Sequence, residues 1–151
     1  MSRKQLSQVV LWTAVAVWTM LALFLTLQNG IDTAKTSNKI AREVYHLLVR
    51  CGIAVRYSKL HQVLRIGAHF ALFCIFGILL EAAILASSQR PSIFKSCIPT
   101  LLICTAISII PEVMKLWIPG RHLQWNEVLL NIIGSYAGVQ GTFTIWKNRY
   151  H

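Results

Sequence analysis

Four long apolar runs constrain the fold of this chain more than any other feature of its sequence. The first, Val9–Leu27, contains about 19 residues without a charge, and the others are Val63–Ser87, Ser96–Trp117 and Val128–Trp146. Because roughly 20 apolar residues carry a helix across the hydrocarbon core of a bilayer, each run predicts a transmembrane helix. We therefore expect an all-α fold, an integral membrane bundle of four transmembrane helices.

The first run could also be a secretory signal peptide, since Arg3 and Lys4 precede it. Signal peptides have an apolar core of only about 7–15 residues, followed by a cleavage site of small residues. Here the run is longer and continues into Gln28, Asn29 and Gly30. We interpret it as a retained transmembrane helix.

The polar stretch Gln28–Lys59 predicts a short amphipathic helix that starts at Ser37 or Asn38 and ends at Gly52. Its apolar side contains Ile40, Val44, Leu47, Leu48 and Cys51, and its other side contains Lys39, Arg42, Glu43, His46 and Arg50. Such a helix fits either the lipid surface or the mouth of the bundle. Residues 1–62 then comprise the first transmembrane helix and this basic connector, and residues 63–151 form a three-helix core within one domain.

The amino-acid composition of the chain limits which kinds of molecule it can bind. Fifteen basic and five acidic residues give a net charge of +10, which suits either nucleic acid or an anionic membrane surface. The 55% hydrophobic content and the four apolar runs favour the lipid bilayer and exclude nucleic acid. The four cysteines have no C-x-x-C spacing, so we expect neither a disulfide nor a zinc site, and no cofactor is implied.

Seven polar side chains are expected to meet at one end of the bundle. Short connections make the last three helices successive antiparallel neighbours, so the start of the second run, the end of the third and the start of the fourth share one membrane face. The residues placed there are Arg65, His69, Glu112, Lys115, Arg121, Glu127 and Asn131. Ionisable groups inside a membrane pair with one another or face a wet cavity, so we predict an ion pair of Glu112 with Arg65 or Arg121.

This group has several interpretations. The residues could join helix ends at the interface, or they could form a pocket that receives an anionic or peptide-like group at the membrane surface. Catalysis by His69 as a general base oriented by Glu112 is a third interpretation, and a metal site of His69, His122, Glu112 and Glu127 a fourth. No H-E-x-x-H or serine-elbow motif supports these last two, so we predict no metal and favour a non-enzymatic role.

Gly134 and Gly138 form a G-x-x-x-G pair in the fourth run. Small residues at this spacing let helices approach closely in lipid, so we assign both glycines to helix packing.

The order and placement of several motifs resemble the VanZ-like family of small membrane proteins, named for a teicoplanin-resistance accessory protein. The matching pieces are Leu64-Arg65-Ile66-Gly67-Ala68-His69-Phe70 with Gly77, then Glu112 and Pro119-Gly120-Arg121, then Asn131 and Gly134. The resemblance covers about half the chain, from Leu64 to Gly138. Three residues depart from the family pattern, in which lysine stands at Ile66, glutamine at Lys115 and aspartate at Glu127.

The resemblance implies a bacterial cell-envelope protein of four or five spans, linked to reduced susceptibility to glycopeptide and lipoglycopeptide antibiotics. Lipid-linked cell-wall precursors and these antibiotics then become the expected partners, at the outer face of the cytoplasmic membrane. The alternative is a small membrane enzyme acting on a lipid-linked phosphate or precursor headgroup, with His69 and Glu112 as the acid–base pair.

Orientation signals in the sequence conflict. The charges Arg3, Lys4, Arg90, Lys95, Lys147 and Arg149 favour cytoplasmic termini, whereas the basic connector would then lie outside. Because the implied partners act at the outer face, we predict that both termini are cytoplasmic.

Overall fold

The computed structural model describes residues 2–27, 30–88, 92–118 and 122–150. Its helices are α1 Arg3–Leu27, α2 Gly30–Arg50, α3 Tyr57–Ser87, α4 Ile93–Met114 and α5 Trp125–Tyr150, with a 3₁₀ turn at Lys115–Trp117 after α4. Four helices are long and apolar enough to cross a membrane: α1, α3, α4 with its 3₁₀ turn, and α5. The predicted all-α bundle with four transmembrane helices is therefore confirmed.

All five helices begin earlier than predicted, by three residues at α4 and α5 and by six or more at α1, α2 and α3. Helix α3 begins at Tyr57, six residues before Val63, because its polar first turns extend the helix beyond the apolar run. Helix α2 begins at Gly30 rather than near Ser37. Its end agrees with the prediction: Gly52 has a φ of 77°, the left-handed conformation that commonly terminates a helix.

Helix α3 lies at the centre of the bundle and packs against each of the other four helices. Its closest neighbour is α5, and glycines bring these two backbones together. A Cβ atom added at Gly134 would lie 2.5 Å from the carbonyl oxygen of Phe70, and one at Gly138 would lie 2.1 Å from that of Cys74. Both G-x-x-x-G glycines thus lie at a helix–helix contact. Gly77 on α3 makes a similar approach to the α5 backbone.

Helix α1 is attached to α3 by polar side chains that bond across the two helices. The indole nitrogen of Trp18 donates to the Leu72 carbonyl oxygen at 2.9 Å, and the amide of Gln8 donates to the Ala86 carbonyl oxygen at 2.8 Å. Earlier residues of α1 therefore meet later residues of α3, so the two helices are antiparallel. The apolar core beside this contact contains Val15, Phe73, Phe76, Leu80, Ala83 and Cys104. All four cysteines are free.

Helix α2 packs across the start of α3 and leaves an apolar face uncovered. Ala41 is fully buried, and Ser37 Oγ lies 2.9 Å from His61 Nε2. Ile40 and Leu47, one helix face away, remain exposed. Helix α2 therefore contacts protein along one side, while part of its apolar side, including Ile40 and Leu47, is exposed.

The topology defines two ends of the bundle. The network end contains the start of α3, the end of α4 and the start of α5, together with α2. The opposite end contains the start of α1, the end of α3, the start of α4 and the C-terminal part of α5, because α1 and α4 are antiparallel to α3 whereas α5 is parallel to it.

Candidate functional site

A buried lysine forms the centre of the network end. Lys115 lies in the 3₁₀ turn that follows α4, and it is only 1% exposed. Its Nζ atom donates to Glu112 Oε2 at 2.5 Å and to Glu127 Oε2 at 2.7 Å. An ammonium group withdrawn from water needs such partners, because an unpaired buried charge is strongly destabilising. The tightened last turn of α4 thus directs Lys115 inward, between two carboxylates.

Arg65 completes the charge balance of this network. Its Nη2 atom makes a close ion pair with Glu127 Oε1 and donates to Gln124 Oε1 at 3.2 Å. Arg65 and Lys115 supply two positive charges, and Glu112 and Glu127 supply two negative charges, so the four formal charges sum to zero. Glu127 also lies in the first turn of α5, where the helix dipole favours a negative charge.

Of the two predicted partners of Glu112, Arg65 is wrong, and Arg121 lies outside the described residues. Arg65 lies on the side of α3 that packs against α5, and it therefore meets Glu127 instead. Glu112 instead pairs with Lys115, three residues further along the chain.

His69 lies one turn beyond Arg65 on α3, and its ring faces α5. Its Nδ1 atom lies 3.1 Å from Asn131 Oδ1, and its Nε2 atom lies 3.6 Å from Glu127 Oε2. The ring is thus oriented by an amide and lies next to a carboxylate. Among the described residues, no hydrogen bond or ion pair joins His69 to Glu112, so the carboxylate beside the imidazole is Glu127.

Gln124 was absent from the predicted group, although it connects two of its members. Its backbone N–H donates to Glu112 Oε1 at 2.7 Å, and its side chain accepts from Arg65. Glu112 therefore ties the end of α4 to the start of α5. No capping signal identifies Gln124 in the sequence, because it precedes the predicted run at Val128 by four residues and glutamine is not among the preferred N-cap residues.

Comparison with known protein families gives a match over most of the chain. A model of the VanZ/LLP1 family matches residues 11–147. The chain belongs to the VanZ/LLP1 family. The match extends well beyond the motifs in residues 64–138 and includes α2 and about two thirds of α1. No curated protein and no solved structure matches the chain significantly.

One predicted site residue of this VanZ/LLP1 protein, Arg121, lies outside the described residues, as do Pro119 and Gly120. The structure brings the other six predicted residues together at the network end: Arg65, His69, Glu112, Lys115, Glu127 and Asn131.

His122, which was considered as a metal ligand, is exposed. Within the described ranges, no group of three histidine, cysteine or acidic residues is arranged to hold a metal ion.

A second polar cluster lies at the opposite end of the bundle and was not predicted. The carboxylate of Glu81, near the end of α3, is completely buried and accepts hydrogen bonds from Ser96 Oγ and, at 2.5 Å, from Thr100 Oγ1. Both hydroxyls belong to the first two turns of α4. The antiparallel order of the helices brings the end of α3 to the start of α4, just as it brings the end of α4 to the start of α5.

Proposed function

We propose that this protein resides in the bacterial cytoplasmic membrane and lowers susceptibility to glycopeptide and lipoglycopeptide antibiotics without acting as an enzyme. The network end would face outward and contact either the antibiotic or the lipid-linked cell-wall precursor. The observation that carries this proposal is a buried, charge-balanced network with a partly open arginine at its edge, in a member of the VanZ/LLP1 family.

Arg65 is the group best placed to meet a ligand. Its side chain is 41% exposed, and its described bonds to Glu127 and Gln124 use the Nη2 atom. A guanidinium has five N–H donors, so Nε and Nη1 can each still donate a single charge-assisted hydrogen bond to an anion, although both bidentate edges of the group include the occupied Nη2. Carboxylates and phosphates both accept such bonds, and the expected partners carry these groups.

The rest of the network supports a binding role rather than a reactive one. Lys115 is enclosed between two carboxylates, and Glu112 is bonded to both Lys115 and the Gln124 backbone. Groups held in this way do not readily exchange partners with a ligand, because breaking a buried pair is costly. They support a rigid platform for Arg65 and His69.

The proposed orientation rests on the short basic segments, whose preference we take to outweigh the opposing charge of α2. Arg3 and Lys4 at the start of α1 and Lys95 at the start of α4 belong to the opposite end of the bundle. Short basic segments favour the cytoplasmic side, which would direct the network end outward. Both termini would then be cytoplasmic.

The test is drug susceptibility in a host that depends on this protein for resistance. We expect Arg65→Gln to reduce teicoplanin resistance while the amount of protein in the membrane remains at the wild-type level. Lys59→Gln is the matched control, because it removes an exposed positive charge from the same end of α3 and should leave resistance unchanged. Normal resistance in Arg65→Gln would refute the proposal. Loss of the variant from the membrane would instead support a purely structural role.

A membrane enzyme acting on a lipid-linked phosphate or precursor headgroup is the second candidate. It is favoured by His69, whose partly exposed ring is oriented by Asn131 beside the Glu127 carboxylate. It predicts an altered precursor pool in cells that express the protein. Mass spectrometry that finds identical pools with and without the protein would leave the binding role as the better account.

A further inference from the structure

The outward face of α5 carries polar groups at a depth where lipid chains surround it. Gly134 and Gly138 direct one side of α5 against α3. The residues exposed along the other side are Leu129, Ile133, Tyr136, Gln140 and Thr144. We call this face the α5 stripe. Polar groups in hydrocarbon need hydrogen-bond partners. A phenol and an amide on this face therefore indicate that it contacts something other than lipid.

Gln140 lies too deep to reach water easily. It precedes Lys147 by seven residues and follows Trp125 by fifteen, which places it about 10 Å from one membrane-end residue and about 22 Å from the other at 1.5 Å per residue. Side chains of a helix lean toward its N-terminus, so the Gln140 amide is directed away from the nearer interface.

Two of the three polar side chains of the stripe have no hydrogen-bond partner among the described residues. Within the part of the chain that the structure describes, no hydrogen bond joins the Gln140 amide or the Tyr136 hydroxyl to another group, and Tyr136 is 53% exposed. The Thr144 hydroxyl, by contrast, donates to the Gln140 carbonyl oxygen of its own helix at 3.0 Å. The unmet hydrogen-bonding capacity is therefore concentrated at Gln140 and Tyr136.

The spacing of the stripe matches a helix–helix seam. Its first four members are separated by four, three and four residues, which approximates the 3.5-residue period at which two helices interlock side chains. An amide both donates and accepts, so two identical amides can pair reciprocally, each donating one N–H to the oxygen of the other. Two copies inserted in the same orientation, related by a two-fold axis along the membrane normal, bring identical positions of a seam together.

We propose that two copies of this chain associate in the membrane through the α5 stripe, with the Gln140 amides of the two copies hydrogen-bonded to each other. The partner is a second copy because the polar groups of the stripe are self-complementary. The stripe uses no residue of the ion network. The dimer proposal is therefore independent of the proposed function.

Energy transfer between labelled copies in proteoliposomes tests the proposal. Full-length protein labelled at its N-terminus with donor or acceptor dye should show transfer that declines as the lipid-to-protein ratio rises. Replacing the amide by Gln140→Leu should weaken dimerisation about 3- to 30-fold, which corresponds to the strength of hydrogen bonds between transmembrane helices. Leu102→Ala, on an exposed apolar position of α4, is the control and should leave the dimerisation constant unchanged.

Chemical cross-linking provides a second readout that keeps Gln140 in place. With a membrane-permeant bismaleimide, Ile133→Cys should give a covalent dimer above the background from the native cysteines, whereas Leu102→Cys should not. The proposal is overturned if the purified wild-type protein is monomeric at every lipid ratio, as expected if lipid or another membrane protein covers the stripe. Equal cross-linking at positions 133 and 102, or a dimer unaffected by Gln140→Leu, would also overturn it.

Discussion

The ammonium of Lys115 lies 2.7 Å from the carboxylate of Glu127, which joins the turn after α4 to the first turn of α5. The same ammonium bonds to Glu112, so one buried cation connects two carboxylates that lie on different helices. Arg65 adds a third helix through its pair with Glu127. The network end therefore contains one continuous set of ion pairs that joins α3, α4 and α5.

Removal of the central cation should be severely destabilising. Lys115→Met preserves much of the side-chain volume but leaves two buried carboxylates with Arg65 as their remaining described cation. We expect a loss of about 3–5 kcal/mol in the free energy of unfolding, typical for breaking a buried ion pair. Thermal unfolding of the detergent-purified protein, together with its abundance in the membrane, measures this loss.

A second substitution should restore part of that stability. In the double variant Lys115→Met/Glu112→Gln, one cation and one carboxylate are removed together, and Arg65 and Glu127 remain as a balanced pair. The amide of the new glutamine can still accept from the Gln124 backbone. If the double variant is no more stable than Lys115→Met alone, charge balance is not what stabilises the network end.

Sequence alone predicted at which end of the bundle these groups lie but not which groups pair with one another. Run length and short connections place Arg65, Glu112 and Glu127 at one end, because each helix advances a fixed distance per residue. Partner choice depends on the rotation of each helix about its axis, which close contacts such as Gly138 against Cys74 determine. That is why Arg65 was assigned to Glu112 although it meets Glu127.

A single methyl group added at Gly138 should weaken the packing of α3 against α5. The Cβ of Gly138→Ala would lie 2.1 Å from the Cys74 carbonyl oxygen, so the two backbones would have to separate. We expect a loss of about 1–3 kcal/mol, as for other overpacked sites. Unfolding of the purified protein in detergent measures this change.

Gly141→Ala is the matched control for that variant. It adds the same methyl group to the same helix, where nothing lies within 4 Å of the new atom. Alanine favours a helix over glycine by roughly 0.5–1 kcal/mol, so this variant should be as stable as the wild type or slightly more stable. Equal destabilisation by the two alanines would indicate that α5 does not pack through Gly138.

The Glu81 cluster should contribute to stability without contributing to drug resistance. Glu81→Ala leaves the buried hydroxyls of Ser96 and Thr100 without their carboxylate acceptor, a change that typically costs about 1–3 kcal/mol. Glu81→Gln retains an acceptor oxygen and should lose less. Resistance should persist in Glu81→Gln, because the cluster lies at the end of the bundle opposite to Arg65. Drug sensitivity in a well-expressed Glu81→Gln variant would indicate that residues at both ends of the bundle are needed for resistance.

The orientation of the bundle can be determined with two engineered cysteines. His122 is exposed at the network end, and Lys95 is exposed at the opposite end. In a Cys51→Ser background, which removes the native exposed thiol, a membrane-impermeant maleimide applied to intact cells should label His122→Cys. It should label Lys95→Cys only after the cells are permeabilised. The background variant alone supplies the signal to be subtracted.

Either pattern of labelling has a definite consequence. Labelling at position 122 in intact cells places Arg65 and its network outside, where antibiotics of this class and lipid-linked precursors meet the membrane. The reverse pattern would make the basic residues of α2 cytoplasmic, in agreement with the preference of positive charges for that side. The network would then face the cytoplasm, and direct contact with an antibiotic at the outer leaflet would be ruled out.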